Sequence, residues 1–189
     1  MGRTVLYMSM SLDGFIAGRN ETDDNGLGDG GDRLHEWVFP AEGGVNNQIV
    51  EEFMSTGAIV AGRGTFEPAE GWSGDHHDGV PIWVLSRRPT PEWASKMPLV
   101  QYTNDIEAAF QQARSAAGER NVLVHGASTA QRAIAARLLD ELEIHLIPVL
   151  LGGGRPLFEH LGPAHHELER LRVLEGEGGV THLRYRVRY

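Results

Sequence analysis

Short apolar runs alternate with segments of helical periodicity through most of this chain. Val45, Ile49 and Phe53 recur at helical spacing and predict a helix over residues 43–55. The strand-like runs are residues 3–10, 58–61, 81–85, 99–102, 121–124 and 142–150. Strands that alternate with helices favour an α/β fold, with a mixed, mostly parallel central sheet and helices on both of its faces.

The C-terminal end has a different pattern. From Val180 to Tyr189, apolar and polar residues largely alternate, which is typical of a strand with one face in water. Residues 167–174 are its expected partner across a glycine-rich turn at 176–179. The sequence therefore predicts that an antiparallel hairpin closes the sheet.

Two helix starts carry capping signals. Asn104 with Glu107 forms one capping pair, and Ser128 with Gln131 forms another. Ile106, Ala109, Phe110 and Ala113 would then form one apolar stripe along the first of these helices.

Composition narrows the classes of protein. The 189 residues fit a single domain, 1–189, and the absence of cysteine excludes disulfides, cysteine zinc sites and thiol catalysis. The chain lacks an apolar run long enough for a membrane span, so we expect a soluble, cytoplasmic protein without a membrane partner. A net charge of −9 argues against a nucleic-acid partner. Lys96 is the only lysine among 17 basic residues, so any anion site must use arginines and backbone amides.

Three predicted strand ends carry groups that suit anions. They are the segments 62–65 (Gly-Arg-Gly-Thr), 86–88 (Ser-Arg-Arg) and 125–129 (His-Gly-Ala-Ser-Thr). Ligands of open α/β sheets bind beyond the carboxyl ends of the strands, and a helix expected to begin at Thr65 would offer free N–H groups. Taken singly, each segment is equally consistent with a solvated arginine or an ordinary helix cap. Together they indicate a dinucleotide with an extra phosphate, and therefore NADPH rather than NADH.

Five blocks in this order resemble the dihydrofolate-reductase-like superfamily. They are residues 8–17, 60–67, 84–87, 124–129 and 148–158. The match is closest to the branch of the riboflavin-biosynthesis reductase, the RibD C-terminal domain. This resemblance implies a three-layer dihydrofolate-reductase-like fold, NADPH as cofactor, a small-molecule substrate and a homodimer.

The resemblance also implies roles for individual residues. The implied cofactor contacts are Ala17, Gly62, Arg63, Thr65, Ser86, Arg87, Arg88, Gly126, Ala127, Ser128, Thr129, Gly153 and Gly154. Asp13 matches an acidic residue close to the substrate and is the candidate catalytic proton donor, with water as the alternative. Ala127 stands where the family commonly has a second glycine. The pterin-binding segment of folate reductases has no counterpart between Phe15 and Phe53, which argues against dihydrofolate as substrate.

These observations predict an NADPH-dependent reductase that transfers hydride to a small heterocyclic or carbonyl-type substrate, similar to the aminouracil reductase of riboflavin biosynthesis or to dihydrofolate reductase. A non-catalytic nucleotide- or flavin-binding module on the same fold is the alternative. Asp13 could equally be a turn residue, and Asp32, His35 and Trp37 either line the substrate side or only pack. No metal site is expected, because residues 75–78 (Asp-His-His-Asp) are typical of a solvated loop.

Overall fold

An eight-stranded sheet organises the computed structural model, which describes residues 2–22, 24–39, 43–163 and 165–189. The strands in these ranges are β1 (Thr4–Ser11), β2 (Phe15–Ala17), β3 (Ala58–Gly62), β4 (Ile82–Leu85), β5 (Val100–Thr103), β6 (Val122–His125), β7 (Glu141–Ile147), β8 (Arg155–Pro156), β9 (Glu167–Glu175) and β10 (Thr181–Arg188). The α-helices are α1 (Val45–Met54), α2 (Arg63–Phe66), α3 (Ile106–Ala117) and α4 (Ala127–Ala135). The spatial order in the large sheet is β5-β4-β3-β6-β1-β7-β10-β9, and β2 pairs with β8 in a small second sheet.

The strands from β5 to β7 run parallel, and β10 and β9 are antiparallel. β1 lies between β6 and β7, with Leu6 opposite both Val124 and Leu142. The carboxyl ends of the parallel strands therefore meet along one edge of the sheet. The predicted mixed sheet with a C-terminal antiparallel hairpin is confirmed.

Both faces of the parallel part are buried, which explains why its strands read as continuous apolar runs. On one face, Leu6 and Val60 pack in a cluster with Phe110 of α3 and Ile134 of α4. On the other face, the alternate residues of the same strands, such as Val5 and Ile59, pack with Phe66 of α2. α1 covers a third cluster on that side through Ile49 and Phe53. None of the helices in the described ranges combines the length and apolarity needed to cross a bilayer.

Several predicted element boundaries need correction. The N-cap of α3 is Asp105, whose carboxylate accepts from the amide of Ala108 at 3.0 Å, so Asn104 does not cap this helix. α4 begins at Ala127 with Gly126 as its N-cap, so Ser128 lies inside the first turn. The helix expected from Thr65 begins at Arg63 and has a single turn.

The segment of residues 18–34, which is rich in glycine, aspartate and asparagine, contains more structure than this composition suggests. Its end forms a 3-10 helix, Gly31–Leu34, and a second 3-10 helix, Glu36–Val38, follows directly. Leu34 and Trp37 are buried against the cluster beneath α1. Asp23 lies outside the described residues.

Candidate functional site

The three segments singled out at strand ends lie together in space. β4, β3 and β6 are neighbours in the sheet, so the residues that follow them emerge side by side. A Cβ placed on Gly62 would stand 3.0 Å from the Thr129 hydroxyl oxygen, and Arg63 donates to the carbonyl oxygen of Pro89 at 3.3 Å. Segments 62–65, 86–88 and 125–129 therefore border one site, as the sequence predicted.

A groove of about 860 Å³ runs along these segments, and we call it the arginine groove. Its charged lining residues are Arg63, Arg87, Arg88, Arg132, Arg155, Glu21 and Glu67. Arg63 pairs with Glu67 at 2.7 Å, and Arg155 pairs with Glu21 at 2.5 Å. The arginines outnumber the glutamates, so the groove is cationic within an acidic protein and suits phosphate groups.

The turn after β4 aims two of these arginines outward. The hydroxyl of Ser86 accepts from the Arg88 amide at 3.0 Å and donates to the Arg88 carbonyl oxygen at 2.9 Å. Ser86 therefore fixes the turn. Within the described ranges, the guanidinium groups of Arg87 and Arg88 have no ion-pair or hydrogen-bond partner, which leaves them available to a ligand.

The start of α4 forms a second, smaller recess of about 270 Å³ that adjoins the groove, and we call it the α4 cradle. Its lining includes Gly62, Gly64, Thr65, Gly126, Ala127 and Ser128. No side chain caps α4, so the first-turn amides are free to face an anion. Gly126 has a φ of 94°, and a Cβ there would stand 2.5 Å from the Thr65 hydroxyl oxygen. Only glycine fits this position.

Ala127 completes the cradle from the helix side, whereas Thr129, expected as a cofactor contact, is not among its lining residues. The methyl group of Ala127 is buried in the core cluster around α4, so the alanine fits here without distorting the turn. Thr129 is also buried, and its hydroxyl oxygen has no hydrogen-bond partner among the described residues.

A cavity of about 740 Å³ opens beside the groove and shares Gly64 and Arg155 with it. We call it the histidine cavity. Its aromatic lining consists of Tyr7, Trp37, Phe39, Phe53, Trp72 and the imidazoles of His35, His76, His125 and His145. Such a mostly apolar space with a few polar groups is typical of a small-molecule compartment.

The imidazoles of the cavity are uncharged at neutral pH. Burial, together with the neighbouring His76, lowers the pKa of His125 to about 3. Burial and the adjacent His77 lower the pKa of His76 to about 4. Burial also lowers the pKa of His145 well below its usual range, with His182 adding to the effect. These uncharged rings therefore contrast with the permanently charged arginines of the groove beside them.

Asp13 does not have the environment of a proton donor. Its carboxylate accepts from the Ser11 hydroxyl at 2.6 Å and from the amides of Leu151 and Gly152 at 3.1 and 2.7 Å. The Ser11 hydroxyl and these two amides lower its pKa, so it is ionised near neutral pH. Asp13 is exposed and anchors the loop after β7, which favours water, the alternative given from the sequence, as the proton donor.

The glycines of that loop have a packing role. A Cβ on Gly154 would stand 2.0 Å from the carbonyl oxygen of Ala17, and a Cβ on Gly153 would meet the guanidinium of Arg19. The loop therefore lies directly on the backbone of β2. Ala17 itself lines the histidine cavity, whereas Gly153 and Gly154 are not among the residues that line the cavity, the groove or the cradle.

The sequence did not indicate that His76 and His145 line a cavity. His76 lines the cavity and His77 is buried, so the prediction of a solvated loop at residues 75–78 was wrong for both histidines. His145 lies within β7. A histidine inside a predicted strand was the sequence signal that could have pointed to it. Asp32, His35 and Trp37 all line the cavity, which favours the substrate-side alternative for them.

Comparison with known proteins agrees with this architecture. The family model described as the RibD C-terminal domain matches residues 4–181. The Bacillus subtilis (strain 168) protein YwjB, itself uncharacterized, is 26% identical over 185 residues, covering 97% of both chains.

Two solved structures share the fold. A Shewanella sp. PV-4 protein named after riboflavin biosynthesis superposes with a TM-score of 0.74 at 23% identity, covering 99% of each chain. Dihydrofolate reductase from Enterococcus faecalis, complexed with NADP(H) and RAB-propyl, superposes with a TM-score of 0.59 at 17% identity, covering 100% of this chain and 98% of the other. Since the family model spans nearly the whole sequence, the chain belongs to the family of RibD C-terminal domains.

Proposed function

We propose that this protein is an NADPH-dependent reductase of a small heterocyclic or carbonyl-type molecule. The observation that carries the proposal is the continuity of three compartments at Gly64 and Arg155: a cationic groove, an uncapped helix start and an aromatic cavity. A phosphorylated dinucleotide has parts of matching chemistry in the same order. The dihydrofolate reductase of the same fold is complexed with NADP(H), which supports this choice.

The residues divide between the parts of the cofactor. Arg63, Arg87 and Arg88 would hold the adenosine phosphate in the arginine groove. The α4 amides from Ala127 onward would hold the pyrophosphate, and Gly126 lets the backbone approach it closely. Ala17 lines the neighbouring cavity, where the nicotinamide would meet the substrate.

When bound, the cofactor supplies a hydride for an electrophilic carbon of a C=O or C=N bond. The chain's own contribution is to orient the substrate between aromatic walls. A proton must also reach the heteroatom of the reduced bond. Because Asp13 is ionised and engaged by two amides, we assign this proton to water.

The cofactor assignment is tested by titrating NADPH and NADH against the intrinsic tryptophan fluorescence. Trp37 and Trp72 both line the histidine cavity and should report occupation of the site. We expect NADPH to bind at least about tenfold more tightly than NADH, because a charge-assisted phosphate contact contributes roughly 1.5–3 kcal/mol. Equal and millimolar-weak binding of both dinucleotides would contradict the proposal.

A nucleotide- or flavin-binding module without turnover is the second candidate. It is favoured by the engagement of Asp13, the acid expected from the sequence, in anchoring a loop. If NADPH binds tightly but its oxidation stays at the background rate across a panel of carbonyl and heterocyclic imine compounds, this second function replaces the first. A yellow colour on purification would identify a flavin.

We further propose a homodimer that uses the edge strand β9. This strand exposes the apolar side chains of Leu168, Leu171 and Val173 beside unpaired backbone groups, a combination that promotes pairing with another strand. Light scattering during size-exclusion chromatography should give twice the monomer mass, and Val173→Lys should shift it toward the monomer. A monomer in the unmodified protein at all concentrations would contradict the proposal.

A further inference from the structure

Two pairs of histidines end at the histidine cavity: His145 with His182, and His76 with His77. We propose that these pairs hold His145 and His76 as hydrogen-bond acceptors toward the cavity, so that it selects ligands that donate N–H or O–H hydrogen bonds. The inference rests on the proposed function only in taking this cavity as the substrate compartment. In each pair, the position of the ring protons follows from an acceptor that is fixed by the backbone.

The first pair is anchored by Asn46. Its amide nitrogen donates to the carbonyl oxygen of Glu177 at 3.1 Å, which turns its amide oxygen toward His182 Nε2 at 2.9 Å. An amide oxygen only accepts, so His182 carries its proton on Nε2 and has a lone pair on Nδ1. His145 Nδ1 lies 2.9 Å from His182 Nδ1 and must therefore carry the proton of its own ring.

The second pair is anchored by Thr56. Its carbonyl oxygen lies 3.0 Å from His77 Nε2, and its hydroxyl donates to the carbonyl oxygen of Phe53 at 2.7 Å. Both oxygens of Thr56 therefore face His77 as acceptors, which places the His77 proton on Nε2. His76 Nδ1 lies 2.7 Å from His77 Nδ1, so His76 is the donor within this pair.

Both hydrogen-bonded pairs leave the same ring nitrogen, Nε2, available to a ligand. In His145 and in His76 the proton is on Nδ1, and Nε2 has a lone pair without a hydrogen-bond partner among the described residues. Two imidazoles that line one cavity thus offer acceptors.

The electrostatics of the cavity agree with this arrangement. Burial lowers the pKa of His182 to about 4, and the pKa values of His76 and His145 are lowered as well, so the rings stay neutral and keep their lone pairs. The indole N–H of Trp37, a donor in the cavity wall, is already used by the hydroxyl oxygen of Ser9 at 2.8 Å. A ligand that brings its own donors therefore matches the wall.

The tautomers can be measured directly from long-range ¹H–¹⁵N correlations of the histidine rings at about pH 8, where a free imidazole is uncharged. We expect the Nδ1–H form for His145 and His76, and the Nε2–H form for His182 and His77. Signals are assigned with His145→Gln and His76→Gln, and exposed His160 serves as the reference ring. An Nε2–H form of either His145 or His76 in the unmodified protein would overturn the inference.

Ligand preference is tested with two small cyclic ureas of the same ring. Ethyleneurea offers two N–H donors, and N,N′-dimethylethyleneurea offers none. We expect ethyleneurea to shift the His145 and His76 nitrogen signals at concentrations about tenfold lower, and His76→Leu to reduce this difference. An equal or stronger response to the dimethyl compound would refute the selectivity. Neither measurement needs NADPH, so failure of the cofactor proposal is separately visible.

Discussion

The arginine groove and the histidine cavity meet at Gly64 and Arg155 but are built in different ways. The groove is made by short segments that each follow a strand, and much of its chemistry lies in backbone amides and glycine positions. The cavity is made by single side chains from strands and loops far apart in the sequence, such as Tyr7, His76 and His145. The groove is permanently charged, whereas the imidazoles of the cavity are neutral. In the proposed function, phosphate recognition is therefore a property of local chain geometry, and cavity chemistry is a property of the tertiary fold.

The largest effect is expected at the α4 cradle, which adjoins the groove and depends on backbone geometry. Gly126→Ala places a methyl group 2.5 Å from the Thr65 hydroxyl oxygen at a φ of 94°, so the turn must shift. We expect a loss of about 2–4 kcal/mol of unfolding free energy and a fall of about 100-fold in NADPH affinity. Chemical denaturation and fluorescence titration measure the two effects.

Gly79→Ala is the matched control for this substitution. Gly79 also has a positive φ, 65°, but a Cβ there meets nothing within 4 Å. Only the strain of the backbone should appear, at about 1 kcal/mol, with NADPH affinity unchanged. Equal behaviour of the two variants would show that the close contact at the cradle is unimportant.

A smaller effect is expected where the groove depends on side chains. The double variant Arg87→Ala with Arg88→Ala removes two unpartnered guanidinium groups, and we expect NADPH affinity to fall about 10- to 100-fold while NADH affinity hardly changes. Calorimetric titration with both dinucleotides gives the comparison. Arg170→Ala, on exposed β9, should change neither affinity. A parallel loss for NADH would place the arginines elsewhere than at the extra phosphate.

The cavity, unlike the groove, should make stability depend on pH. His76 stays neutral in the native protein down to a pKa of about 4, while the unfolded chain protonates near its ordinary value. Between about pH 6.5 and 4 the unfolded state therefore binds more protons than the native state. The free energy of unfolding then decreases by about 1.4 kcal/mol for each unit by which the pH is lowered, for each such histidine. His76→Gln should reduce this slope in urea denaturation series. An unaltered slope in His76→Gln would mean that His76 is protonated in the native state.

The smallest effect is expected at Asp13. Asp13→Asn keeps an oxygen for one of the two loop amides, so the rate of NADPH oxidation should stay within about threefold once a substrate is known. A true proton donor would contribute roughly 10²- to 10⁴-fold. A loss in that larger range, measured by stopped-flow absorbance, would restore the catalytic role that the sequence suggested.

Much of the fold could be predicted from the sequence because its signals are local. Apolar runs predicted the parallel strands and a largely alternating pattern predicted β10, with bounds that differ by at most one residue except at β7, which ends three residues before the predicted 150. The cap at Asp105 was missed because Asn104 beside it carries a side chain of the same capping chemistry. Backbone geometry decided between two adjacent candidates.

Residues of the groove could be predicted from the sequence, whereas most contacts around the cavity could not. Gly62, Arg63, Gly126 and the arginines after β4 were predicted because each segment is contiguous and follows a recognisable strand. The partners of Asp13 could not be predicted because Leu151 and Gly152 lie 138 and 139 residues further along the chain. The pairing of His145 with His182 depends on the register of β7 with β10, which no local pattern specifies.

The contact between Gly126 and Thr65 has a consequence for how such a scaffold can change. Because that turn cannot accept even a methyl group, the α4 cradle has almost no room for variation at Gly126. Tyr7, Trp72 and His76 project into the cavity from separate elements and can each be replaced without moving the turn. New substrates are therefore most accessible to laboratory evolution through libraries at these wall positions, with residues 62–65 and 126–129 left as they are.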